Sequence, residues 1–548
     1  MPVNIASVLV ADAVHESCDQ ILREYGISVT RRLRMTPEEL LEEVKRHDAL
    51  VVRSESKVTA EVVAAGAAAS LRAVARAGTG VDNIDVDAAT RRGVIVLNTP
   101  GGNSVSACEL TCSLITVLAR NVPAACQSLK EGRWERSKLA GSELSGKTLA
   151  VLGLGRIGRE VAARMRAFGM TTIGFDPLVS AEAAQQFGVE KLELEEIWPR
   201  ADYITVHTPL IPQTRNLIND EVLSKCKRGV RIVNVARGGI IDEKALLVAL
   251  NDGRCGGAAL DVLTEEPPRS DWLLELVRHP QVVATPHLGA STAEAQRRVA
   301  REAAEQLVAL SATVPAAQRA RFQLTGVVNA PALSASLDEG NQPWLQLAKE
   351  LGSLAARLVQ GSLPGTAINV TASGPGSERL TFVATAAVTG LLSGRTPNGL
   401  NLVNAPALAR DMGVTVTSEK ASAGSQGDDT TVTVKIQQAS GEVHAVTGTV
   451  RADNRPLLLS VDGCVFDGGI ALGGGAPLRL FRAASAASAL GAVLGALASA
   501  SASITGVSVA APVMEPAKGQ PTDSHAWIAV RTTQRVETRV NIPGVVDV

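Results

Sequence analysis

The sequence contains few aromatic residues, and its cysteines and histidines are sparse. Phe, Trp and Tyr make up 3% of the 548 residues, and the seven cysteines are scattered without a Cys-x-x-Cys pair. An odd number of dispersed cysteines predicts reduced thiols that pack as small residues in a cytoplasmic protein, and it argues against a disulfide framework. The seven histidines are equally dispersed and no His-Glu-x-x-His motif occurs, so we expect no metal site.

The sequence also lacks a strong net charge and a long apolar run. Its formal charge is −1, which provides no general field for binding nucleic acid or an acidic membrane surface. The first residues, MPVNIASVLVADAV, show no secretory signal. Two apolar stretches, SACELTCSLITVLAR and AASAASALGAVLGALASASAS, are too polar or too rich in small residues to span a membrane, and both are predicted to be packed helices.

What the sequence does contain is an alternation of strand-like and helix-like segments. Short β-rich runs such as ASVLVAD, ALVVRS and VIVLNTP alternate with helical segments over residues 1–100. The alternation restarts at Lys147 with KTLAVLGLG and ends near His287 with QVVATPH. This order predicts two parallel sheets covered by helices. In the longer tail that follows, residues 418–429 are predicted to form an exposed loop.

Two helix starts carry the spacing of a capping box, in which a Ser side chain and a Glu three residues later cap the helix together. Ser106 and Glu109 predict a long helix that begins near Asn103. Ser291 and Glu294 predict the helix that follows the second sheet.

A glycine-rich turn predicts a dinucleotide site. Gly153, Gly155 and Gly158 form a Gly-x-Gly-x-x-Gly pattern between the strand TLAVL and a helix. These glycines allow a tight turn, and the N–H groups of the helix then face a pyrophosphate. Asp176 ends the next strand, where its carboxylate can accept hydrogen bonds from ribose hydroxyls and repel a 2′-phosphate. The pattern therefore favours NAD over NADP.

Three residues with complementary chemistry follow three successive strands of the second sheet. Arg237 follows RIVNV, Glu266 follows AALDV, and His287 follows VVAT. Because ligands bind outside the carboxyl ends of such strands, we expect the three side chains to converge beside the cofactor. Arg237 can hold a carboxylate or ketone oxygen, His287 can exchange a proton with an alcohol, and Glu266 can orient the imidazole and favour its protonated form.

The motifs GLGRIGREVAARM, HTPLIPQTRNLIN, NVARGGIIDEKAL, ALDVLTEEPP and PHLGAST resemble those of the D-isomer-specific 2-hydroxyacid dehydrogenases. The segments VVRSESKVTAEV, RAGTGVDNIDVDAATRRGVIVLNTP and GRWERSKLAGSEL are similar, more narrowly, to the long animal-like members that act on 3-phosphoglycerate. The resemblance implies NAD-dependent oxidation of 3-phospho-D-glycerate to 3-phosphohydroxypyruvate, the first step of phosphorylated serine synthesis. It also implies a homodimer or homotetramer.

The resemblance implies an α/β fold with two doubly wound parallel-sheet domains, one binding substrate and one a Rossmann domain binding NAD, followed by C-terminal α+β domains. The implied domains are a discontinuous substrate-binding domain (1–100 and 288–315), an NAD-binding domain (101–287), an intervening domain (316–472) and a degenerate ACT-like domain (473–548). The final segment, 533–548, departs from the ACT pattern because it is a poor candidate for the closing helix.

The resemblance also assigns residues. Arg237, Glu266 and His287 are implied as the catalytic set, with His287 as acid and base. The implied NAD contacts are Thr79, Gly153, Gly155, Arg156, Ile157, Gly158, Asp176, Thr208, Ala236, Arg237, Asp261, His287, Leu288, Gly289 and Ala290. A phosphorylated substrate requires local positive charge, and the expected substrate contacts are Arg53, Arg76, Gly78 and Arg136, the last reaching the cleft of a neighbouring subunit.

Two alternatives remain open at this point. The chain could be another D-2-hydroxyacid dehydrogenase of the glyoxylate or hydroxypyruvate reductase type, although the long C-terminal region and the set of arginines argue against it. It could also be a dehydrogenase-like corepressor, which keeps the NAD site but works as a binding module. A corepressor would carry a peptide-binding N-terminal surface and a disordered tail, which this sequence does not suggest.

Overall fold

A computed structural model of the chain describes residues 3–359, 363–396, 399–420, 429–473, 477–512, 525–534, 542–543 and 545–547. Within these ranges the strands form sheets of five, seven and ten strands. All pairings in the first two sheets are parallel, which confirms the two parallel sheets predicted from the alternating segments.

The first sheet has the strand order β2-β1-β3-β4-β5, which is one of the two common doubly wound orders. Its strands are short and almost entirely apolar, because helices cover both faces of a parallel sheet. The elements are β1 (Ser7–Val10), α1 (Ser17–Glu24), β2 (Ser28–Arg31), α2 (Pro37–Glu43), β3 (Ala49–Val52), α3 (Ala60–Ala68), β4 (Ala73–Arg76), α4 (Val86–Arg91) and β5 (Ile95–Leu97).

The second sheet has the order β12-β11-β10-β9-β6-β7-β8, with the chain reversing direction across the sheet between β6 and β9. This is the Rossmann order extended by one strand. The elements are α5 (Ser104–Ala119), α6 (Val122–Lys130), β6 (Thr148–Leu152), α7 (Arg156–Ala167), β7 (Thr171–Phe175), α8 (Ala181–Gln186), β8 (Glu190–Lys191), α9 (Leu194–Ile197), β9 (Tyr203–Val206), α10 (Asp220–Lys225), β10 (Val230–Asn234), α11 (Glu243–Asn251), β11 (Cys255–Leu260), α12 (Asp271–Arg278) and β12 (Val282–Ala284).

A long helix, α13 (Ala293–Leu310), carries the chain from the second sheet back to the first. Its buried residues Val299 and Leu307 belong to the same apolar core as Val8 and Val10 of β1. The chain then bridges β5 through Val327, which pairs with Leu97. The first sheet is therefore completed by residues that lie some two hundred positions further along the chain.

Both predicted capping boxes are wrong, although the helices themselves are present. The first helix begins at Ser104, so Ser106 lies inside it and its hydroxyl contacts Thr292 Oγ1 at 2.8 Å. The second helix is capped by Thr292, whose side chain accepts a hydrogen bond from the backbone N–H of Ala295 at 3.1 Å. In each case the cap belongs to a residue close to the predicted serine, because the Ser-x-x-Glu spacing does not by itself determine where the backbone becomes helical.

The third sheet has ten strands in the order β14-β13-β15-β16-β17-β18-β20-β21-β19-β22. One large apolar core runs along most of it, from Leu347 and Phe382 to Trp527, and a smaller second core contains Phe481, Val493 and Ile528. The elements are α14 (Ala316–Arg319), α15 (Pro331–Ser336), α16 (Gln342–Leu358), β13 (Ala367–Ser373), α17 (Val383–Leu392), α18 (Ala405–Asp411), β14 (Thr415–Lys420), β15 (Thr431–Gln437), β16 (Val443–Val450), β17 (Pro456–Val461), β18 (Cys464–Ala471), β19 (Leu478–Ala483), α19 (Ala486–Ser499), β20 (Ile504–Pro512), β21 (Ala526–Thr532) and β22 (Val545–Asp547).

The last part of the chain has the strand, helix, strand, strand order that the sequence predicts, and its likeness to an ACT domain stays a prediction. Its strands do not form a sheet of their own, because β18 pairs with β20 and joins them to the preceding strands. Most of the predicted loop 418–429 and most of the segment 533–548 lie outside the described residues. The described part of the first ends β14, and residues 545–547 of the second form β22.

All seven cysteines are free thiols, and five of them are buried. The prediction that all seven pack inside is wrong for Cys126, which is exposed, and for Cys226, which is partly exposed. In the described part of the chain, no single helix has both the length and the apolar composition of a membrane span. Helices α5 and α6 meet both criteria only when they are counted together as one segment, and that segment is bent by 65°.

Candidate active site

Three neighbouring strands carry the chemical residues to one edge of the second sheet. Strand β10 pairs with β11, and β11 pairs with β12, all in the same direction. The loops that follow them carry Arg237, Glu266 and His287. Parallel strands present their carboxyl ends at one edge, which is the usual position of ligand sites in such sheets.

Glu266 and His287 are in direct contact. His287 Nδ1 lies 2.8 Å from Glu266 Oε2, while Glu266 Oε1 accepts a hydrogen bond from the backbone N–H of Leu263 at 3.0 Å. A carboxylate only accepts hydrogen bonds, so Nδ1 carries the proton in this pair. This fixes the tautomer and leaves Nε2 as the ring nitrogen that can exchange a proton with a ligand.

The pair favours a charged imidazole. The hydrogen bond to Glu266 outweighs the opposing effect of burial and raises the pKa of His287 above its ordinary value. Burial opposes the charged form of Glu266, but the hydrogen bonds from His287 and from Leu263 together lower the pKa of its carboxyl group. Arg237 is close enough for its charge to act on both residues, although it bonds to neither of them.

The backbone of His287 has φ of +54°, a left-handed conformation that residues other than glycine rarely adopt. Buried Asp261 holds it there. The carbonyl oxygen of Asp261 accepts the N–H of His287 at 2.9 Å, and its carboxylate accepts the N–H groups of Leu288 at 2.7 Å and Gly289 at 2.8 Å. The hydroxyl of Thr285 donates to the same carboxylate at 2.6 Å. The conformation of the turn is thus determined by several hydrogen bonds to one residue.

Two arginines meet at Gly80, one from each sheet. A Cβ atom at Gly80 would overlap a terminal nitrogen of Arg237 and would stand 2.7 Å from the NH1 group of Arg76. Burial and the charge of Arg237 lower the pKa of Arg76 to about 10. The NH1 group of Arg76 is buried and has no hydrogen-bond partner among the described residues, while Arg237 Nε donates to Asp82 at 3.0 Å. A buried donor without a partner indicates an anionic ligand.

The other predicted substrate residue of this sheet edge is Arg53. Its carbonyl oxygen accepts a hydrogen bond from Arg76 Nε at 3.3 Å, and its own backbone N–H donates to Asp12 at 2.6 Å. The turn after β4 continues through Gly78, whose carbonyl oxygen accepts the N–H of Thr99 at 2.9 Å. The first sheet therefore places Arg53, Arg76 and Gly78 together at the carboxyl ends of β3 and β4.

The structure does not bring Arg136 to this cluster within one chain. Arg136 is exposed on the segment that follows α6, and the neighbouring Trp134 is 81% exposed. Its position at the surface separates it from Arg76 and Arg237, which lie in the cleft between the two sheets.

The glycine turn has the shape of a dinucleotide cradle. Gly153 has φ of +96°, and a Cβ there would stand 2.7 Å from the carbonyl oxygen of His207. A Cβ at Gly158 would overlap the carbonyl oxygen of Gly153, so only glycine lets α7 approach β6 this closely. Gly155, in contrast, faces open space with nothing within 4 Å. The three glycines thus serve the turn, the packing and the approach of a ligand in the way a pyrophosphate site requires.

The residues around the turn fit the same cofactor. The carboxylate of Asp176 accepts the N–H of Leu154 at 2.8 Å, which places it beside the glycine turn at the end of β7. The hydroxyl of Thr208 is buried without a partner among the described residues, as expected for a group that a ligand satisfies. Helix α7 begins at Arg156, followed by Ile157, so its first N–H groups face the turn.

The remaining predicted NAD contacts lie on the turns that follow β4, β10 and β12. The hydroxyl of Thr79 donates to Asn103 Oδ1 at 2.6 Å, which links the first sheet to the start of α5. The N–H of Ala236 donates to Asn234 at 2.9 Å, just after β10. Leu288 is 41% exposed on the His287 turn, and the carbonyl oxygen of Ala290 accepts a hydrogen bond from Gln296 at 2.7 Å.

Sequence reasoning missed Asp82, and it missed the way in which Asp261 holds the His287 turn. Asp82 reaches Arg237 across 155 positions, a pairing that no local pattern indicates. Within the described ranges, no group of three or more His, Cys, Asp or Glu side chains could hold a metal ion.

Comparison with known proteins agrees with this geometry. Residues 112–289 match the family model of the D-isomer specific 2-hydroxyacid dehydrogenase, NAD binding domain, and residues 341–462 match that of the D-3-phosphoglycerate dehydrogenase intervening domain. The D-3-phosphoglycerate dehydrogenase of Rattus norvegicus is 47% identical over 88% of this chain and 87% of its own length. That of Methanocaldococcus jannaschii is 41% identical over 84% of each chain.

The solved structure of a glyoxylate reductase from Paecilomyes thermophila superimposes with a TM-score of 0.53 and 30% identity, covering 60% of this chain and 99% of its own. The fold, the glycine cradle and the NAD-binding match define an NAD-dependent dehydrogenase. On the identity and coverage of its relatives, the chain belongs to the D-3-phosphoglycerate dehydrogenase family.

Proposed function

We propose that the chain oxidises 3-phospho-D-glycerate to 3-phosphohydroxypyruvate with NAD, the first step of phosphorylated serine synthesis. The observation that carries this proposal is the meeting of a proton-exchanging pair with an arginine cluster in one cleft. Glu266 and His287 lie at one side, and Arg76 has a buried donor without a partner at the other. A phosphorylated hydroxy acid offers the anions that such donors require. The names of the relatives support the same substrate.

His287 performs the proton transfer in this proposal. Its Nε2 atom accepts the proton of the 2-hydroxyl group, while Nδ1–H stays bonded to Glu266, whose charge stabilises the imidazolium that forms. Bound NAD supplies the acceptor for the hydride that leaves the same carbon. In the reverse direction the imidazolium returns its proton to the carbonyl oxygen.

The arginines orient the substrate. Arg237 holds the carboxylate or the developing carbonyl oxygen beside His287, because its fork of donors matches either group. Arg53 and Arg76, at the ends of β3 and β4, take the carboxylate or the phosphate, and the backbone of Gly78 lines the same turn. The glycine turn, Asp176 and Thr208 would hold NAD, because the first N–H groups of α7 can bind a pyrophosphate and the carboxylate of Asp176 can accept hydrogen bonds from ribose hydroxyls.

We also propose that the first two sheets each support one functional unit and that the third supports two, with the predicted boundaries. The first sheet with α13 binds the substrate (1–100 and 288–315), and the second binds NAD (101–287). The third sheet comprises the intervening unit (316–472) and the final unit (473–548). The two final units share one apolar core and are joined by the pairing of β18 with β20. The core of the first sheet extends past residue 315, because Ala330 and Leu333 belong to it.

The seven free thiols are consistent with a reducing compartment, and we propose a cytoplasmic location. Exclusive targeting of the tagged full-length chain to an oxidising compartment would contradict this.

Turnover with two substrates tests the proposed activity. NADH formation at alkaline pH, where proton release favours oxidation, should be far more efficient with 3-phospho-D-glycerate than with D-glycerate. The reason is that only the phosphorylated acid has two anionic groups, a carboxylate and a phosphate, that can both bind to the arginines. Equal kcat/KM for the two acids would contradict the phosphate assignment and favour a reductase of the glyoxylate or hydroxypyruvate type.

The pH dependence follows from the pKa of His287. Oxidation needs the neutral imidazole, so kcat/KM should rise with pH through a pKa above the ordinary 6.5 and then level off. Glu266→Gln removes the charge that raises this pKa, and the rising limb should move to lower pH. Glu265→Gln is the control, because Glu265 bonds to Ser270 and not to His287. If the rising limb of kcat/KM lay at the same pH in Glu266→Gln as in wild type, the Glu266–His287 pair would not determine the pH dependence.

An exposed apolar surface supports a homodimer, which could pair into a tetramer. Val105, Val122, Leu129 and Trp134 of α5, α6 and the following segment are each 39% to 81% exposed. In the dimer Arg136 would approach the partner's cleft. Trp134→Glu should lower the mass found by sedimentation velocity, because it places a charge in the contact. Leu178→Glu, which changes an exposed leucine outside this surface, should leave the mass unchanged. If the mass were unchanged in Trp134→Glu as well, the dimer contact would lie elsewhere.

A further inference from the structure

The loop that carries Glu266 is held in place by the buried side chain of Glu243, which has no direct part in the proposed reaction. Glu243 is the first residue of α11 and is only 4% exposed. Its Oε1 accepts the backbone N–H of Thr264 at 2.8 Å, and its Oε2 accepts the hydroxyl of Thr264 at 2.5 Å. Both oxygens of one buried carboxylate are therefore bonded to a single residue two positions before Glu266.

Helix capping does not account for this glutamate. Asp242 caps α11 instead, since its carboxylate accepts the N–H groups of Lys244 at 3.1 Å and Ala245 at 3.0 Å. Burial raises the pKa of Glu243 against the lowering effect of its hydrogen bonds to Thr264, and the charges of Glu266 and Asp242 act in the same direction as burial. A carboxylate is costly to bury, so its position beneath the loop calls for a reason.

The opposite side of the loop is fixed by Gly238. A Cβ atom there would overlap the carbonyl group of Leu263, so the backbone after Arg237 lies directly against the loop. Leu263 in turn donates its N–H to Glu266 Oε1 at 3.0 Å. The Leu263–Thr264 peptide is thus held between Gly238 and Glu243. The N–H of Leu263, in the peptide just before it, supplies one of the two hydrogen bonds that orient the carboxylate of Glu266.

We propose that Glu243 is a positioning residue for the acid–base pair: it fixes Thr264 so that Leu263 and Glu266 stay aligned with His287 Nδ1. The inference rests on the proposed function in one respect, namely that the Glu266–His287 pair transfers the proton. Glu243 itself touches neither the pair nor the cleft, and it acts through the loop. The charges of Asp261 and Arg237 also act on the His287 imidazole, and Thr264→Val changes none of the charges around it.

The test compares Glu243→Ala and Thr264→Val with the controls Asp242→Asn and Thr264→Ser. Asn preserves the cap of α11, and Ser preserves the hydroxyl that Glu243 accepts. Glu243→Ala should lower kcat by about 10- to 100-fold, the usual result when a catalytic group is misplaced, and leave NAD affinity unchanged. Its rising limb of kcat/KM should move to lower pH. Thr264→Val should also lower kcat and move the rising limb of kcat/KM to lower pH, but by less than Glu243→Ala does. The controls Asp242→Asn and Thr264→Ser should match wild type.

A second measurement separates this inference from the proposed function. The NMR titration of the His287 ring, assigned by comparison with His287→Gln, needs no substrate. It should show a lower pKa for His287 in Glu243→Ala and Thr264→Val than in wild type. If wild type fails to oxidise 3-phosphoglycerate but these titrations shift, the proposed function is wrong and the positioning role stands. If the pKa of His287 and the rising limb of kcat/KM are both unchanged in Thr264→Val and in folded Glu243→Ala, then Glu243 does not position the Glu266–His287 pair.

Discussion

The carboxylate of Asp261 holds the His287 turn through hydrogen bonds that no single local element could supply. It receives N–H groups from Leu288 and Gly289 and the hydroxyl of Thr285, while its carbonyl oxygen receives the N–H of His287. These bonds keep His287 in a left-handed conformation that would be unfavourable in isolation. The direction of the imidazole, its contact with Glu266 and the access of Nε2 to the cleft all depend on this turn.

The cleft is formed by two sheets that differ in their contribution. The second sheet provides the glycine turn and the Glu266–His287 pair, and the first provides Arg53 and Arg76 from the ends of β3 and β4. Arg237 connects them, because it follows β10 of the second sheet and bonds to Asp82 of the first. Helix α13 follows the His287 turn and packs into the core of the first sheet, so this part of the chain connects the two sheets.

Local patterns predicted much of this architecture. The glycine turn and the strands of the first two sheets were readable because apolar periodicity and glycine spacing report directly on backbone geometry. The capping boxes were not, since Ser106 lies inside its helix and Thr292, rather than Ser291, caps the other. The partnership of Asp82 with Arg237, the bonds of Asp261 and the pairing of β18 with β20 depend on folding across long stretches of sequence. The hydrogen bonds between Thr264 and Glu243 join residues 21 positions apart, and no local sequence pattern predicts them either.

The proton transfer proposed for His287 can be checked by the turnover of His287→Ala. We expect 3-phosphoglycerate oxidation to fall by roughly 10²- to 10⁴-fold with NAD affinity retained, because proton transfer by a positioned side chain contributes that much. His279→Ala, which alters a histidine whose ring accepts a hydrogen bond from the backbone N–H of Gln281, should keep normal turnover. Near-normal turnover by His287→Ala would contradict the account.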